Sequence, residues 1–204
     1  MWISRHDGEI LSLTHYPVCL PDRQNPSTDQ PALGGAVQAG IFISYRGEDT
    51  YSYAALLHLE LSRHIGDDLV FLDSESIEAG QDFSQQIVAK VRSSRVMLVV
   101  IGRHWLNALD PRGGRGIDDP QDWIRRELVE AFSAGVRVIP ILTDESVIPS
   151  SDQLPADIAA LSVCQYRRLR HRDASADMRR IITELIDKEP SLVMHRRTMV
   201  GLRS

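Results

Sequence analysis

The sequence predicts an α/β fold: a flavodoxin-like, five-stranded parallel sheet with helices on both faces. Short apolar runs alternate along the chain with longer segments whose apolar residues recur at three- and four-residue spacings, which is typical of alternating strands and helices. One run, Val96–Ile101, is apolar at all six positions, as expected of a strand buried on both faces. Five such units predict the strand order 2-1-3-4-5.

The first half of this pattern supplies two strands and two helices. The pair Asp49-Thr50 is typical of a helix start, and Gly66 is a suitable stop because glycine accepts the backbone that ends helices. The elements expected here are strands at 41–45 and 69–73, a polar loop at 74–81 and a second helix that begins at Phe83.

The second half continues the alternation. Asp122 is expected to cap a helix that ends at Gly135. A glycine- and proline-rich segment at 107–121 precedes that helix and is interpreted as a flexible loop. The other elements expected here are strands at 96–101, 136–142 and 163–166, a short helix at 154–161 and a final amphipathic helix that carries Met178 and Ile186 and ends near Pro190.

Three regions are predicted from composition. Residues 1–39 are polar and interrupted by prolines, so we expect a poorly ordered leader. Residues 40–190 form the folded domain, and residues 191–204 form a basic tail.

The bulk composition excludes several classes of protein. The net charge of −5 argues against a nucleic-acid binder. Two distant cysteines and no Cys/His cluster argue against a zinc site and fit a reducing compartment. A membrane span needs about 20 apolar residues, far more than the longest run here, and the N-terminus does not resemble a signal peptide. We therefore expect a cytoplasmic protein without membrane or nucleic-acid partners.

The predicted strand order places a ligand crevice beyond the carboxyl ends of the first and third strands. Tyr45 and Arg46 follow the first strand, and the segment from Gly102 to Glu127 follows the third. These segments carry the candidate site residues.

Three segments, in this order, resemble the TIR domain family. Residues 41–50 resemble its opening strand and loop, and residues 71–80 its second strand and the mobile loop that follows. Residues 122–128 resemble the Trp-x-x-x-Glu-Leu helix of NAD⁺-cleaving members. The resemblance covers residues 40–187 and implies an NAD⁺ glycohydrolase or cyclase, with Glu127 as the catalytic carboxylate and Trp123 as a pocket residue.

The chemistry agrees with that implication. Breaking the nicotinamide–ribose bond builds positive charge on the ribose, and a nearby carboxylate stabilises it. Nicotinamide leaves as a neutral molecule, so a single carboxylate suffices. NAD⁺ is then the substrate, and no cofactor or metal is expected.

Each candidate also has a plainer interpretation. Glu127 alone would be a solvated helix glutamate, and Trp123 a tryptophan simply packed in the first turn of its helix. Arg46 either binds phosphate or ribose oxygens or pairs with Glu48 or Asp49. Asp73 either fixes the loop after the second strand, which we prefer, or lines the pocket. Phe83 either packs in the core or contacts a substrate ring.

Two other functions compete with NAD⁺ cleavage. A non-catalytic TIR adaptor would act by TIR–TIR assembly alone and would not need the acid at Glu127. A phosphoacceptor receiver domain needs acidic residues after the first strand, where this chain has Ser44-Tyr45-Arg46. For the enzyme we expect homo-oligomers through TIR–TIR contacts, an upstream activator, and a setting in bacterial immune or cell-death signalling.

Overall fold

The structure, a computed structural model, describes residues 40–72 and 83–192 and contains one five-stranded parallel sheet in the order β2-β1-β3-β4-β5. The predicted fold class and strand order are confirmed. The strands are β1 (Ile41–Tyr45), β2 (Val70–Leu72), β3 (Val96–Ile101), β4 (Arg137–Thr143) and β5 (Arg167–Leu169). The helices are α1 (Glu48–Ile65), α2 (Phe83–Ser93), α3 (Trp123–Ser133) and α4 (Ala174–Lys188), with short 3-10 helices in several of the connections.

Each face of the sheet has its own hydrophobic core, because successive strand side chains point to opposite faces. Ile41 and Ile43 of β1 pack with α1 and α4. Phe42 lies in the second core, with α2 and α3. The same alternation directs Ser44 toward the α2 and α3 side, which is the side that carries Glu127.

The predicted helix ends agree with the structure. Asp122 caps α3 by accepting a hydrogen bond from the backbone N–H of Arg125. Gly66 follows α1 with φ of 127° and Gly135 follows α3 with φ of 69°, conformations that favour glycine. The start of α3 is therefore fixed by its own sequence.

The predicted position of the fifth strand was wrong. The fifth strand is Arg167–Leu169 rather than 163–166, and Val163 instead ends a 3-10 helix, Ala156–Val163. The segment 107–121 is a loop with local hydrogen-bonded structure, and its flexibility stays a prediction. Leu109 and Arg115 form an antiparallel bridge, and the carboxylate of Asp110 accepts hydrogen bonds from the backbone N–H groups of Arg112 and Gly114.

The predicted leader, the polar loop 74–81 and residues 193–204 lie outside the described residues. Packed structure reaches at least Leu192, which is fully buried beside α4; the division of the chain at 39 and 190 stays a prediction. Within the described part of the chain, every helix is too short or too polar to span a lipid bilayer.

Candidate active site

Glu127 is a buried carboxylate on α3. Only 1% of the residue is exposed, although its helix neighbours Arg125 and Arg126 reach the surface more readily. The hydroxyl of Ser44 donates a hydrogen bond to Oε2 of Glu127 at 2.6 Å. The interpretation of Glu127 as an ordinary solvated helix glutamate was therefore wrong.

Burial gives this carboxylate an energetic cost that an exposed glutamate does not have. A charged group removed from water is tolerated when hydrogen bonds or charges compensate it. Ser44 supplies one such bond from β1, which is held between two neighbouring strands of the sheet. Glu127 is thus held by the fold, which is what a group acting on a ligand requires.

Arg46 lies beside the same helix. Its guanidinium forms an ion pair with Asp122, the residue that caps α3, and the two side chains are 15% and 13% exposed. The partner in the structure is thus Asp122 rather than Asp49, and the side chain of Glu48, the other residue that the sequence suggested, is not described. Gly116 leaves room for this contact, since a Cβ there would lie 2.8 Å from Nη1 of Arg46.

Trp123 is the first residue of α3 and is half-buried. Its ring packs against the core that α2 and α3 share, and the guanidinium of Arg126 lies over it, 4.7 Å from the ring centroid. The ring of Trp123 therefore packs on the same face of α3 that carries Glu127, one turn later. A pocket role for Trp123 stays a prediction.

The other candidates are not all brought to Glu127. Tyr45 packs on the opposite side of the sheet, against the α1 and α4 core, with its ring 5.9 Å from that of Tyr51. Asp73 lies outside the described residues. Phe83 begins α2, but its side chain is not described. Substrate contacts by these three residues stay predictions.

A separate cavity of about 400 Å³ lies at the carboxyl ends of β3 and β4 and does not include Glu127. No local sequence pattern indicates this cavity, because residues of its lining are distant in the chain: the hydroxyl of Tyr53 donates a hydrogen bond to Asp144, 91 positions away. Burial and the hydrogen bond to Asp144 raise the pKa of Tyr53 to about 12. The polar lining of the cavity includes Asp49, Tyr53, Arg103, His104, Asp144 and Glu145.

Asp144 has a left-handed backbone, with φ of 40°, which is uncommon outside glycine. Its carboxylate accepts hydrogen bonds from the Tyr53 hydroxyl and from the backbone N–H of His171, and these bonds lower its pKa. Among the described residues, no group of three or more His, Cys, Asp or Glu side chains is placed to hold a metal ion.

Comparison with known families gives one match that covers most of the chain. The model of the TIR domain matches residues 41–182, a span that contains all five strands and the helix with Glu127.

Curated relatives share modest identity with the chain. The NAD(+) hydrolase SARM1 of Danio rerio is 29% identical over 181 residues, which cover 87% of this chain and 22% of the relative. The NAD(+) hydrolase tir-1 of Caenorhabditis elegans is 25% identical over 146 residues, which cover 71% of this chain and 14% of the relative. The chain thus spans about a fifth or less of the length of these relatives.

A solved structure agrees with the fold. The TIR domains in the activated Roq1 resistosome, which directly recognises the pathogen effector XopQ, superpose with a TM-score of 0.55 at 17% sequence identity. The match covers 72% of this chain and 99% of that chain.

Proposed function

This chain belongs to the TIR domain family, and from that premise we propose that it cleaves the nicotinamide–ribose bond of NAD⁺. The products are nicotinamide and either ADP-ribose or a cyclic ADP-ribose isomer. The observation that carries the proposal is the buried Glu127 carboxylate, held by Ser44 on the helix that begins at Trp123. The names of the NAD(+) hydrolases similar to this chain support it.

The proposed reaction needs one carboxylate. The bond between ribose C1′ and the pyridine nitrogen breaks, and its electron pair stays on nicotinamide, which leaves uncharged. The carboxylate of Glu127 stabilises the positive charge that develops on the ribose. Water then adds to C1′ and loses a proton to give ADP-ribose, or a nucleophilic atom elsewhere in the same molecule adds to give a cyclic product.

The described state is closed around the carboxylate, since Glu127 is only 1% exposed. Ribose can reach it only after neighbouring groups move, as in enzymes whose sites open and close around substrate. We propose that homotypic TIR–TIR contacts and an upstream activator favour the open state. The setting we propose is cytoplasmic immune or cell-death signalling, including antiphage defence.

One observation favours a non-catalytic adaptor instead. The hydrogen bond between Ser44 and Glu127 also ties β1 to α3, so the carboxylate has a structural use without any reaction. An adaptor would keep that tie and would act through assembly alone.

Incubation with NAD⁺ separates the two functions. Purified protein at high concentration is incubated with NAD⁺, and the products are resolved by chromatography. The proposal expects nicotinamide to appear together with ADP-ribose or a cyclic isomer, and to be lost in Glu127→Gln. An adaptor would leave NAD⁺ intact in both samples.

A further inference from the structure

Two side chains at the end of β1 contact α3 at two points. Ser44 and Arg46 are two positions apart, so in an extended strand they point to the same face. Arg46 pairs with Asp122 at the start of α3, and Ser44 donates its hydrogen bond to Glu127, about one and a half turns later. The end of the strand therefore contacts both the helix and the carboxylate.

The spacing of the two contacts fits the geometry of the elements. Two residues of a strand span about 6.6 Å, and the five residues from Asp122 to Glu127 span about 7.5 Å of helix. The contacts run in opposite directions along the two elements, since Arg46, the later residue of the strand segment, contacts Asp122, the earlier residue of the helix segment. That order is expected when a helix runs antiparallel to the strands of a parallel sheet. The helix can neither slide nor turn without breaking one of the contacts.

Ser44 is itself held firmly. It is fully buried, and β1 lies between β2 and β3, with Ser44 in register with Val99 of β3. A hydroxyl fixed in this way defines the position of one carboxylate oxygen. Glutamate has three rotatable side-chain bonds, so helix placement alone leaves that position undefined.

We propose that Ser44 is a positioning residue that orients the Glu127 carboxylate toward the reacting ribose. The inference rests on the proposed NAD⁺ cleavage and adds a residue to it. Without the hydroxyl, the carboxylate stays buried with one hydrogen bond fewer and takes up other orientations. Ser44 acts on the transition state through Glu127 and does not bind NAD⁺ itself, so its loss affects kcat and spares KM.

The first experiment compares steady-state NAD⁺ cleavage by wild type, Ser44→Ala and Ser44→Thr. Ser44→Ala is expected to lower kcat by about 10–100-fold, the range for losing a hydrogen bond to a charged group, with KM changed less than about twofold. Ser44→Thr keeps the hydroxyl and suits a strand, so it should recover most of kcat. Ser62→Ala is the matched control, because Ser62 is a buried serine of α1 whose hydroxyl has no hydrogen-bond partner among the described residues.

The second experiment tests the contact without NAD⁺. Urea unfolding of wild type, Ser44→Ala, Glu127→Leu and the double variant forms a double-mutant cycle. In the wild-type background, Ser44→Ala should shift the folding equilibrium toward the unfolded state by about tenfold. In the Glu127→Leu background the same change should have a far smaller effect, because the leucine side chain accepts no hydrogen bond. Additive effects would show that the contact contributes nothing and would overturn the proposal.

The outcomes distinguish this inference from the proposed function. If wild type cleaves NAD⁺ and Ser44→Ala has the same kcat, the positioning role of Ser44 is wrong, but the proposed NAD⁺ cleavage is supported. If Ser44→Ala and Ser44→Thr lose stability and activity together, the role of Ser44 is structural only. If wild type leaves NAD⁺ intact, the function fails and the positioning role fails with it, whatever the unfolding cycle shows.

Discussion

Arg46, which directly follows β1, forms an ion pair with Asp122, the residue that caps the start of α3. Asp122 has two partners, because it also accepts the capping hydrogen bond from the backbone of Arg125. Both side chains are largely shielded from water, so the pair is less screened than one on the surface. Arg46 thus has a structural role in addition to any contact with substrate.

Arg46→Ala is expected to destabilise the protein by about 1–3 kcal/mol, because it leaves a mostly buried carboxylate without its cation. Arg63→Ala is the control: its partner Glu60 is on the same exposed helix surface, and such pairs contribute about 0–1 kcal/mol. Urea unfolding measures the change in the free energy of unfolding for both variants. If Arg46→Ala instead keeps full stability and raises KM for NAD⁺, Arg46 is primarily a substrate ligand.

Gly102 is predicted to be intolerant of any side chain. A Cβ at this position would lie 2.5 Å from Oδ2 of Asp49 and in still closer contact with Cγ2 of Thr50. Thr50 is fully buried and has little freedom to move. Gly102→Ala should therefore cost about 1–3 kcal/mol by overpacking.

Gly114→Ala is the matched control for Gly102→Ala. The nearest atom to a Cβ at Gly114 is Oδ2 of Asp110, at 3.3 Å, in an exposed hairpin. The melting temperature of Gly114→Ala should stay close to that of wild type, while the melting temperature of Gly102→Ala falls. Equal shifts in the two variants would contradict the packing argument.

Glu127→Gln is expected to slow NAD⁺ cleavage by about 10²–10⁴-fold, or about 3–5 kcal/mol of barrier, because the amide carries no negative charge. The amide oxygen can still accept the bond from Ser44, so the fold should be retained. Glu127→Ala is a poorer probe, since removing a fully packed side chain leaves a cavity. Retention of near wild-type turnover by a well-folded Glu127→Gln protein would exclude the catalytic role.

The parts of the fold that the sequence predicted are those written in local patterns. The apolar runs of β1, β3 and β4 and the cap at Asp122 each require only neighbouring residues to identify. The parallel order follows from the alternation of strands and helices.

The short edge strand β5 could not be found in this way. Two of its three residues are arginines, and only Leu169 is buried. Arg167 pairs with Glu184 of α4, and the guanidinium of Arg168 donates to the backbone carbonyls of Asp144 and Ser146. Charges neutralised by such distant partners look like a solvated surface run when only the sequence is read.

In the candidate site, too, the sequence predicted what depends on neighbouring residues and missed the contacts between distant ones. The local spacing of Trp123 and Glu127, with the family resemblance, singled out the carboxylate. Its hydrogen bond to Ser44 joins residues 83 positions apart, and the Arg46–Asp122 pair spans 76 positions. Nothing in either segment indicates its partner, because the contacts exist only after β1 and α3 pack together.

Glu184 should make stability depend on pH in the acid range. The guanidinium of Arg167, with a smaller contribution from Lys188, lowers the pKa of Glu184 from its usual 4.5 to about 2. A carboxyl whose pKa is lower in the folded state stabilises the protein above its unfolded pKa, and that contribution is lost as pH falls from about 4.5 toward 2.

The measurement compares wild type with Glu184→Gln by urea unfolding from pH 6 to pH 3. With allowance for solvent screening of this partly exposed group, wild type should be more stable by about 1–2 kcal/mol at pH 6. The difference should narrow steadily below pH 4.5. A difference that stays constant over this range would show that the ion pair does not hold the pKa low.

The last prediction concerns assembly. Glu127 is 1% exposed in the single chain, so substrate access requires a rearrangement that costs free energy. If contact with a second copy favours the open state, mass action makes opening depend on protein concentration. Specific NAD⁺-cleaving activity is therefore expected to rise with enzyme concentration.

Glu127→Gln provides a direct probe of this dependence, because it should keep the wild-type surface while lacking turnover. Adding it in excess to dilute wild-type enzyme should raise the turnover of the wild-type molecules, whereas the same mass of serum albumin should not. Specific activity that stays flat over a hundredfold range of concentration, with no stimulation by Glu127→Gln, would show that the monomer opens unaided.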